Sequence, residues 1–402
     1  MPASDLSAAA LLDLESRWGA HNYHPLPIVI ARGRGAWVYD VEGRRYLDCL
    51  SAYSAVNQGH AHPAILEALR EQAARVTLTS RAFHNDQLPL FCHELATLTR
   101  LDVVLPMNTG AEAAETAIKA ARRWGYERKG IPPDRAEIIV CAGNFHGRTT
   151  TLVSASSDPS YQQGFGPLTP GFRVVPFGDL DALRAAISPH TCAFLVEPIQ
   201  CEAGVIIPPA GYLAAAADVC RGKDVLFIAD EIQTGLGRTG HWFACDAEGV
   251  TPDVVLLGKA LSGGVYPVSA VVGRRDVMDV FVPGSHGSTY GGNPLGCAVA
   301  RAALRVLREE HLIERSARLG ALLLERLRDT ITGPVLDIRG RGLLVGIELD
   351  RPARDVSERL MSRGILCKDT HERVIRLAPP LVIEDEDLQW LARELRAVLA
   401  EA

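Results

Sequence analysis

Five continuous apolar runs between residues 137 and 273 constrain the fold of this chain more than any other feature of its sequence. A strand with one wet face alternates apolar and polar residues, whereas a continuous run indicates a strand covered on both faces. Stretches with helical character separate the runs. The sequence therefore predicts an α/β fold with a mostly parallel central sheet flanked by helices. The runs are EIIVCAG (137–143), CAFLVEPI (192–199), DVLFIAD (224–230), DVVLLG (253–258) and VSAVVG (268–273).

The remainder of the chain predicts a second, smaller unit. With 402 residues, the chain is longer than a single hydrophobic core usually supports. A long helical stretch, which we expect to be interrupted, begins near residue 294, and short strands and helices follow it. We expect an N-terminal segment (1–55) that packs with the small domain, a large domain (56–295) and a C-terminal α+β domain (296–402).

Composition argues against several classes of protein. The net charge of −6 disfavours a nucleic-acid partner, and no apolar run is long enough to span a bilayer. The nine cysteines are dispersed without a C-x-x-C pair, which indicates reduced thiols rather than a disulfide framework. Because three acidic residues precede the first arginine, unlike in a signal or transit peptide, we expect a cytoplasmic protein.

Two short motifs are typical of other chemistries but lack the context that those chemistries require. GLGRTG (235–240) matches the dinucleotide fingerprint, yet no strand directly precedes it and no helical pattern follows it. GHAHP (59–63) brings His60 and His62 close together, but no third metal ligand lies near them in the sequence. We interpret both motifs as turns and predict no metal site.

Polar residues follow the predicted strands, at the edge of a parallel sheet where ligands bind. They are Asn144–Arg148, Glu197–Glu202, Asp230–Gln233 and Lys259. Lysine is rarely buried without a partner. Lys259 is therefore either a surface lysine in a strand-ending turn or a reactive amine able to form a Schiff base.

A helix N-terminus and a glycine-rich loop offer a site for an anion. In MNTGAEAAETA (107–117), Asn108 or Thr109 can cap the helix, and Gly110 and Ala111 leave the first N–H groups open to a phosphate. The simpler alternative is a well-capped helix with no ligand. The loop HGSTYGGNP (286–294) carries two hydroxyls, those of Ser288 and Thr289.

A carboxylate, a lysine and an anion-binding helix are the parts that a pyridoxal phosphate enzyme needs. An Asp–Lys ion pair beside unrelated loops would contain the same residues. The residue sequences of four motifs favour the enzyme, because they resemble class III aminotransferases of the fold-type I pyridoxal phosphate superfamily. The motifs are VEPIQ, ADEIQTGLGRTG, LLGKALSGG and GSTYGGNPLG. Other segments, including NFHGRT, are similar to the ornithine-specific branch, and the resemblance runs from about residue 18 to about residue 395.

This resemblance implies an activity and a cofactor site. The implied reaction moves the δ-amino group of L-ornithine to 2-oxoglutarate, giving glutamate and glutamate-5-semialdehyde, which cyclises to pyrroline-5-carboxylate. Lys259 is the implied cofactor-carrying and proton-shuttling residue, and Asp230 pairs with the pyridine nitrogen. Thr289 is implied to come from a partner subunit, so the site requires a homodimer. The other cofactor-binding residues that we predict are Gly110, Ala111, Phe145, Ile232, Gln233 and Ser288.

The resemblance also implies a substrate site with two ends. Tyr23, Tyr53 and Arg148 resemble the residues that hold the α-amino and α-carboxylate end of ornithine. Arg376 resembles the arginine that binds the α-carboxylate of glutamate and 2-oxoglutarate, and Glu202 resembles its switchable partner. Cys201, beside Glu202, stands where the family often has glycine and is a departure from the family pattern.

Related functions remain as alternatives. His146 stands where some relatives carry tryptophan, without removing a required group. An acetylornithine, 4-aminobutyrate or other ω-amino acid aminotransferase would share most of the motifs, although Tyr23 and Tyr53 favour ornithine. A catalytically silent pyridoxal phosphate protein with a regulatory role is the alternative from a different class. Retention of Lys259 and Asp230 argues against it.

Overall fold

A computed structural model describes residues 6–330 and 333–401, which form three sheets and the helices around them. The strands are β1 (Ile30–Arg34), β2 (Trp37–Asp40), β3 (Arg45–Asp48), β4 (Val103–Met107), β5 (Glu137–Cys141), β6 (Phe172–Val175), β7 (Thr191–Val196), β8 (Leu226–Asp230), β9 (Val254–Leu257), β10 (Ser269–Gly273), β11 (Val335–Arg341), β12 (Leu344–Leu349), β13 (Ile365–Leu366), β14 (Lys368–Thr370) and β15 (Val374–Leu377).

The helical segments alternate with the strands over most of the chain. They are α1 (Ala8–Trp18), the single turn α2 (Ser51–Ser54), α3 (Pro63–Ala73), α4 (Leu88–Thr99), α5 (Gly110–Glu127), α6 (Thr150–Ala155), α7 (Pro159–Gln162), α8 (Leu180–Ala186), α9 (Tyr212–Gly222), α10 (Arg275–Met278), α11 (Pro294–Glu309), α12 (Leu312–Thr330), α13 (Arg354–Ser362) and α14 (Asp385–Ala400).

The central sheet has the strand order β4-β10-β9-β8-β7-β5-β6. Neighbours from β9 to β6 are parallel, whereas β10 is antiparallel to both β4 and β9. Each of the five apolar runs forms a strand of this sheet. The prediction of a mostly parallel central sheet flanked by helices is therefore confirmed, with β10 as the strand whose direction differs.

Burial on both faces explains why these strands are continuously apolar. Successive residues of β5 point to opposite faces of the sheet. Ile138 and Val140 pack in one hydrophobic cluster with α5, and Ile139 and Cys141 pack in another cluster with α9. A polar residue at any of these positions would be buried without a hydrogen-bond partner, which the pattern avoids.

The two smaller sheets lie at the chain ends. One has the order β1-β2-β3-β13, with β13 parallel to β3, and the other has the order β11-β12-β15-β14. Strands from the first 50 residues therefore share a sheet with a strand near residue 365. The long helical stretch after residue 294 is interrupted as expected, between α11 and α12, where His311 has a φ of 53°. The domain boundaries near residues 55 and 295 stay a prediction.

The GLGRTG segment forms turns rather than the start of a helix. Its Arg238 is fully buried and donates hydrogen bonds to the carbonyls of Leu343 (2.8 Å) and Pro379 (2.6 Å) and to Oδ1 of Asn57 (2.6 Å). Burial lowers the pKa of Arg238 to about 9. This side chain ties distant parts of the sequence together, which accounts for the motif without a nucleotide.

The two histidines of GHAHP have carboxylate partners. His60 Nε2 lies 2.7 Å from Oδ2 of Asp48, and His62 Nε2 lies 2.9 Å from Oε1 of Glu310. No group of three metal-ligating side chains occurs among the described residues. Within the same part of the chain, no helix has the length and apolar character needed to cross a membrane.

Candidate active site

The carboxyl ends of β8 and β9 and the N-terminus of α5 enclose a cavity of about 140 Å³. Seven residues predicted for the cofactor or for catalysis line this cavity, although they are far apart in the sequence. They are Gly110, Ala111, Phe145, Asp230, Ile232, Gln233 and Lys259, and the other lining residues are His146, Gly147 and Glu197.

Lys259 lies at the centre of this arrangement. β9 ends at Leu257, and after Gly258 the chain turns into a short 3₁₀ segment, Lys259–Ser262, in which Lys259 has a φ of 44°. Its amine makes no hydrogen bond or ion pair with the described residues. Burial lowers the pKa of Lys259, and the negative charge of Asp230 opposes that shift. The amine is thus more often neutral than an exposed lysine, as a nucleophile requires.

Asp230 is buried and held by a histidine. Its Oδ2 lies 2.7 Å from His146 Nδ1, and its Oδ1 accepts a hydrogen bond from the N–H of Ile232 at 3.2 Å. The other ring nitrogen of His146 is buried and has no partner among the described residues. Nδ1 therefore carries the proton in this contact, and His146 fixes the orientation of the carboxylate.

Glu197 is a second buried carboxyl group in the cavity wall. Burial, followed by the negative charge of Asp230, raises its pKa well above the ordinary value. Its Oε1 accepts a hydrogen bond of 2.8 Å from the N–H of Phe145. Glu197 thereby sets the position of the Phe145 backbone and, with it, of the ring beside the cavity.

The N-terminus of α5 is prepared for an anion. Thr109 and Glu112 form a capping box, in which each side chain accepts a hydrogen bond from the N–H group of the other residue. The N–H groups of Gly110 and Ala111 belong to the first helical turn and have no acceptor among the described residues. A β-carbon on Gly110 would lie 3.1 Å from Cδ1 of Ile232, so a larger residue at position 110 would press against the side chain that borders the cavity.

The two predicted hydroxyls of the 286–294 loop have different surroundings. Ser288 Oγ accepts a hydrogen bond of 2.9 Å from Asn108 Nδ2, close to the start of α5. Thr289 is exposed and makes no hydrogen bond with the described residues. Within one chain, the structure therefore brings Ser288, but not Thr289, to the anion-binding N-terminus of α5.

The residues of the cavity fit pyridoxal phosphate. An unpartnered amine on Lys259 suits the aldehyde, the N–H groups of Gly110 and Ala111 suit the phosphate, and Asp230 suits a protonated pyridine nitrogen. Ile232 and Phe145 offer apolar surfaces for the two faces of a ring.

Arg376 lies at one side of the cavity, on β15. It is fully buried, and it donates hydrogen bonds to Oε1 of Glu202 and to Oε1 of Gln233, each at 2.8 Å. Burial alone would raise the pKa of Glu202, but Arg376, assisted by Lys259 and Lys368, lowers it below the ordinary value. Cys201 is buried beside this pair without preventing it.

Arg148 lies on the other side and is held differently. Its guanidinium carbon is 4.3 Å from the ring centre of Tyr161 and 5.6 Å from that of Phe145. It makes no hydrogen bond or ion pair with the described residues. Arg148 and Tyr161 line a second cavity, of about 270 Å³, with Phe165 and with Tyr23, which is 68% exposed. The donors of Arg148 are therefore free for a carboxylate.

Tyr53 belongs to the single turn α2, in which Ser51, Ala52, Tyr53 and Ser54 all have positive φ values, from 46° to 69°. Each left-handed non-glycine residue costs roughly 1–2 kcal/mol. Asp48 holds the turn by accepting hydrogen bonds from the N–H groups that precede and begin it. The turn presents the Tyr53 ring to Arg376, at 5.6 Å, as strained segments at functional sites often do.

Sequence reasoning missed two neighbours of the substrate residues and gave two others no role. Tyr161 and Lys368 were missed, because only the folded chain brings Tyr161 to Arg148 and Lys368 to Arg376. Glu197 was noted only as a polar residue after a strand, and His146 only as a departure from relatives.

Comparisons with known proteins agree with this geometry. The model of the family "Aminotransferase class-III" matches residues 18–399. The ornithine aminotransferase of Halalkalibacterium halodurans is 60% identical over 393 residues, covering 98% of this chain and 99% of that protein.

Two solved structures are similar as well. An ornithine aminotransferase structure from Toxoplasma gondii, described with partial occupancy of pyridoxal phosphate at its active site, has a TM-score of 0.97 and 48% identity, covering 98% of this chain and 94% of that one. An acetylornithine aminotransferase from Elizabethkingia anophelis has a TM-score of 0.90 and 47% identity, covering 99% and 100%.

Proposed function

This chain belongs to the class-III aminotransferase family, and from that premise we propose that it transfers the δ-amino group of L-ornithine to 2-oxoglutarate with pyridoxal phosphate as cofactor. The observation that carries the proposal is the unpartnered, partly buried amine of Lys259, placed between Asp230 and an anion-binding helix N-terminus. The similarity to ornithine aminotransferases over nearly the whole chain supports the choice of donor.

The cavity residues divide the chemical work. When bound, pyridoxal phosphate withdraws electrons from the carbon that carries the substrate amine. Lys259 accepts and returns the proton at that carbon, which its lowered pKa favours. Asp230, oriented by His146, would pair with the pyridine nitrogen. Gly110 and Ala111 would hold the phosphate through backbone N–H groups, with Ser288 beside them, and Gln233 would border the ring.

The two arginines orient the substrates. Arg148, with Tyr23, receives the α end of ornithine, so that the distant δ-carbon reaches Lys259. Tyr53, which the sequence assigned to the same end, packs instead against Arg376 and Lys368. Arg376 receives the α-carboxylate of glutamate or 2-oxoglutarate once that carboxylate displaces Glu202. The ion pair between Glu202 and Arg376 supports this assignment because it neutralises the arginine until an anion arrives.

The active assembly that we propose is a homodimer in which Thr289 of one subunit completes the phosphate site of the other. The exposure of Thr289 and of the neighbouring Tyr290, which is 51% exposed, supports this assembly. Sedimentation of the purified protein tests it. A monomeric protein with full activity would contradict it.

The cytoplasmic location also stays a prediction.

A product assay tests the proposed reaction. With ornithine and 2-oxoglutarate, the purified protein should form pyrroline-5-carboxylate, which reacts with o-aminobenzaldehyde to give a coloured adduct. Ornithine alone should change the visible spectrum of the protein, and 2-oxoglutarate should restore it. Lys259→Ala is the matched inactive control.

Acetylornithine is the second candidate donor. The structure of an acetylornithine aminotransferase superposes on this chain with a TM-score of 0.90, so the fold accommodates either donor. N-acetylornithine reacting faster than ornithine would reverse the ranking. The open Arg148 site would then serve an acylated donor.

A further inference from the structure

A lysine on the strand next to Arg376 is not accounted for by the roles above. Lys368 lies on β14, and the antiparallel register pairs it directly with Arg376 on β15. Cross-strand partners project from the same face of a sheet. The two cationic side chains therefore lie side by side at the same end of the active site.

Tyr53 brings these two cations together. Lys368 Nζ lies 5.1 Å from the ring centre of Tyr53, and the guanidinium carbon of Arg376 lies 5.6 Å from it. Lys368 also donates a hydrogen bond of 3.1 Å to the Tyr53 hydroxyl. Because that oxygen already accepts a bond from Lys368, its own proton remains available to a substrate oxygen.

The charges at this end do not balance. Glu202 compensates Arg376, but among the described residues no carboxylate forms an ion pair with Lys368. The next residue, Asp369, projects to the other face of the strand and lies 3.6 Å from Arg354. Two cations and one carboxylate leave one net positive charge beside the Tyr53 hydroxyl. This charge attracts a substrate with two carboxylates and repels one with two ammonium groups.

We propose that Lys368 is a specificity-determining residue that makes this end of the site favour dicarboxylate substrates, 2-oxoglutarate and glutamate, over the cationic donor. The inference rests on the proposed function for the identity of the two substrates. It assigns to Lys368 a role separate from that of Arg376, since Lys368 adds charge without being neutralised by Glu202.

Binding of an unreactive dicarboxylate tests the proposal without turnover. Glutarate should bind about tenfold more weakly to the holoenzyme of Lys368→Met than to the wild type, because one charge in a partly solvated site is lost. Lys368→Arg should restore binding. Lys223→Met is the matched control, since Lys223 is exposed and lies near the amino end of β8, away from the carboxyl ends that border the active site. Isothermal calorimetry measures the affinities, and thermal unfolding checks that each variant is folded.

Single-turnover rates extend the test to the substrates. In Lys368→Met, the half-reaction of 2-oxoglutarate at subsaturating concentration should slow by about tenfold, whereas that of ornithine should not slow. Equal glutarate affinity in the wild type and in folded Lys368→Met would overturn the proposal. If glutarate binding weakens but the wild type does not convert ornithine, the proposed donor is wrong and the role of Lys368 toward dicarboxylates stands.

Discussion

Arg376 and Arg148 flank the same lysine, yet their surroundings are opposite. Arg376 is fully buried, bound to Glu202 and Gln233, and flanked by a second cation. Arg148 rests on two aromatic rings and makes no hydrogen bond with the described residues. A fully buried guanidinium needs polar partners, whereas one at the mouth of a cavity keeps water as its partner.

On the proposed function, this difference would let one site accept two unlike donors. A carboxylate that binds Arg148 displaces only water and gains a charge-assisted contact. We expect a carboxylate that binds Arg376 to displace Glu202 first, so that only a substrate whose other groups also interact favourably at that end gains affinity. We therefore expect the open arginine to be the default site for the α end of ornithine and the paired arginine to be reserved for the acidic substrates.

Lys259→Ala should have the largest effect and should affect both ends of the site equally. Loss of the amine should reduce turnover on the order of 10⁴-fold with either donor. Single-turnover spectra with ornithine and with glutamate measure both losses. A loss confined to one donor would show that the two arginines do not serve a common centre.

Glu202→Ala should remove the asymmetry between the arginines. Arg376 would then be open to any carboxylate, while Gln233 still accepts one of its hydrogen bonds. The rate of the glutamate half-reaction relative to the ornithine one should rise roughly ten- to a hundredfold. Cofactor content, read from the visible spectrum, should stay unchanged. An unchanged rate ratio would rule out the displacement of Glu202.

Tyr161→Leu should weaken the Arg148 end selectively. Without the ring 4.3 Å away, the guanidinium loses its support, and kcat/KM for ornithine should fall roughly three- to tenfold. Tyr161→Phe keeps the ring and serves as the matched control. A fall of the same size with glutamate would mean that Tyr161 supports the cofactor ring through Phe145 rather than the donor site.

The pH dependence of the unfolding free energy that arises from the Glu202–Arg376 pair should be the smallest of these effects. The folded-state pKa of Glu202 lies below its ordinary value of 4.5, so the pair stabilises the protein above pH 4.5 and loses that contribution as pH falls through the folded pKa. The difference in unfolding free energy between the wild type and Glu202→Gln should change by less than about 1 kcal/mol between pH 7 and pH 5. Denaturant titrations at several pH values measure it. A steep change near neutral pH would contradict the assignment.

The sequence predicted what depends on local pattern. Continuous burial marks β5 and β7–β10, and the carboxyl ends of parallel strands bring Asp230 and Lys259 together. β6 was missed because it is an edge strand with only Val175 buried, and β4 because it contains Pro106 and only its last two residues are buried. The reversal of β10 leaves no trace in its composition.

The unpredicted parts of the site depend on contacts between distant segments. Lys368 is next to Arg376 only because β14 and β15 pair in one particular register. Tyr161 reaches Arg148 only because of the loop path after α6. The displacement of Glu202 and the role of Thr289 are implied by resemblance alone and stay predictions.

The buried guanidinium of Arg238 has a consequence for how the chain can be divided. It joins Asn57 to Leu343 and Pro379, so a cut near residue 295 would leave Arg238 with Asn57 but separate it from the carbonyls of Leu343 and Pro379. Each half would then expose or bury unsatisfied polar groups. Truncation at that boundary should give insoluble fragments, and the intact chain should melt in one cooperative transition rather than in two.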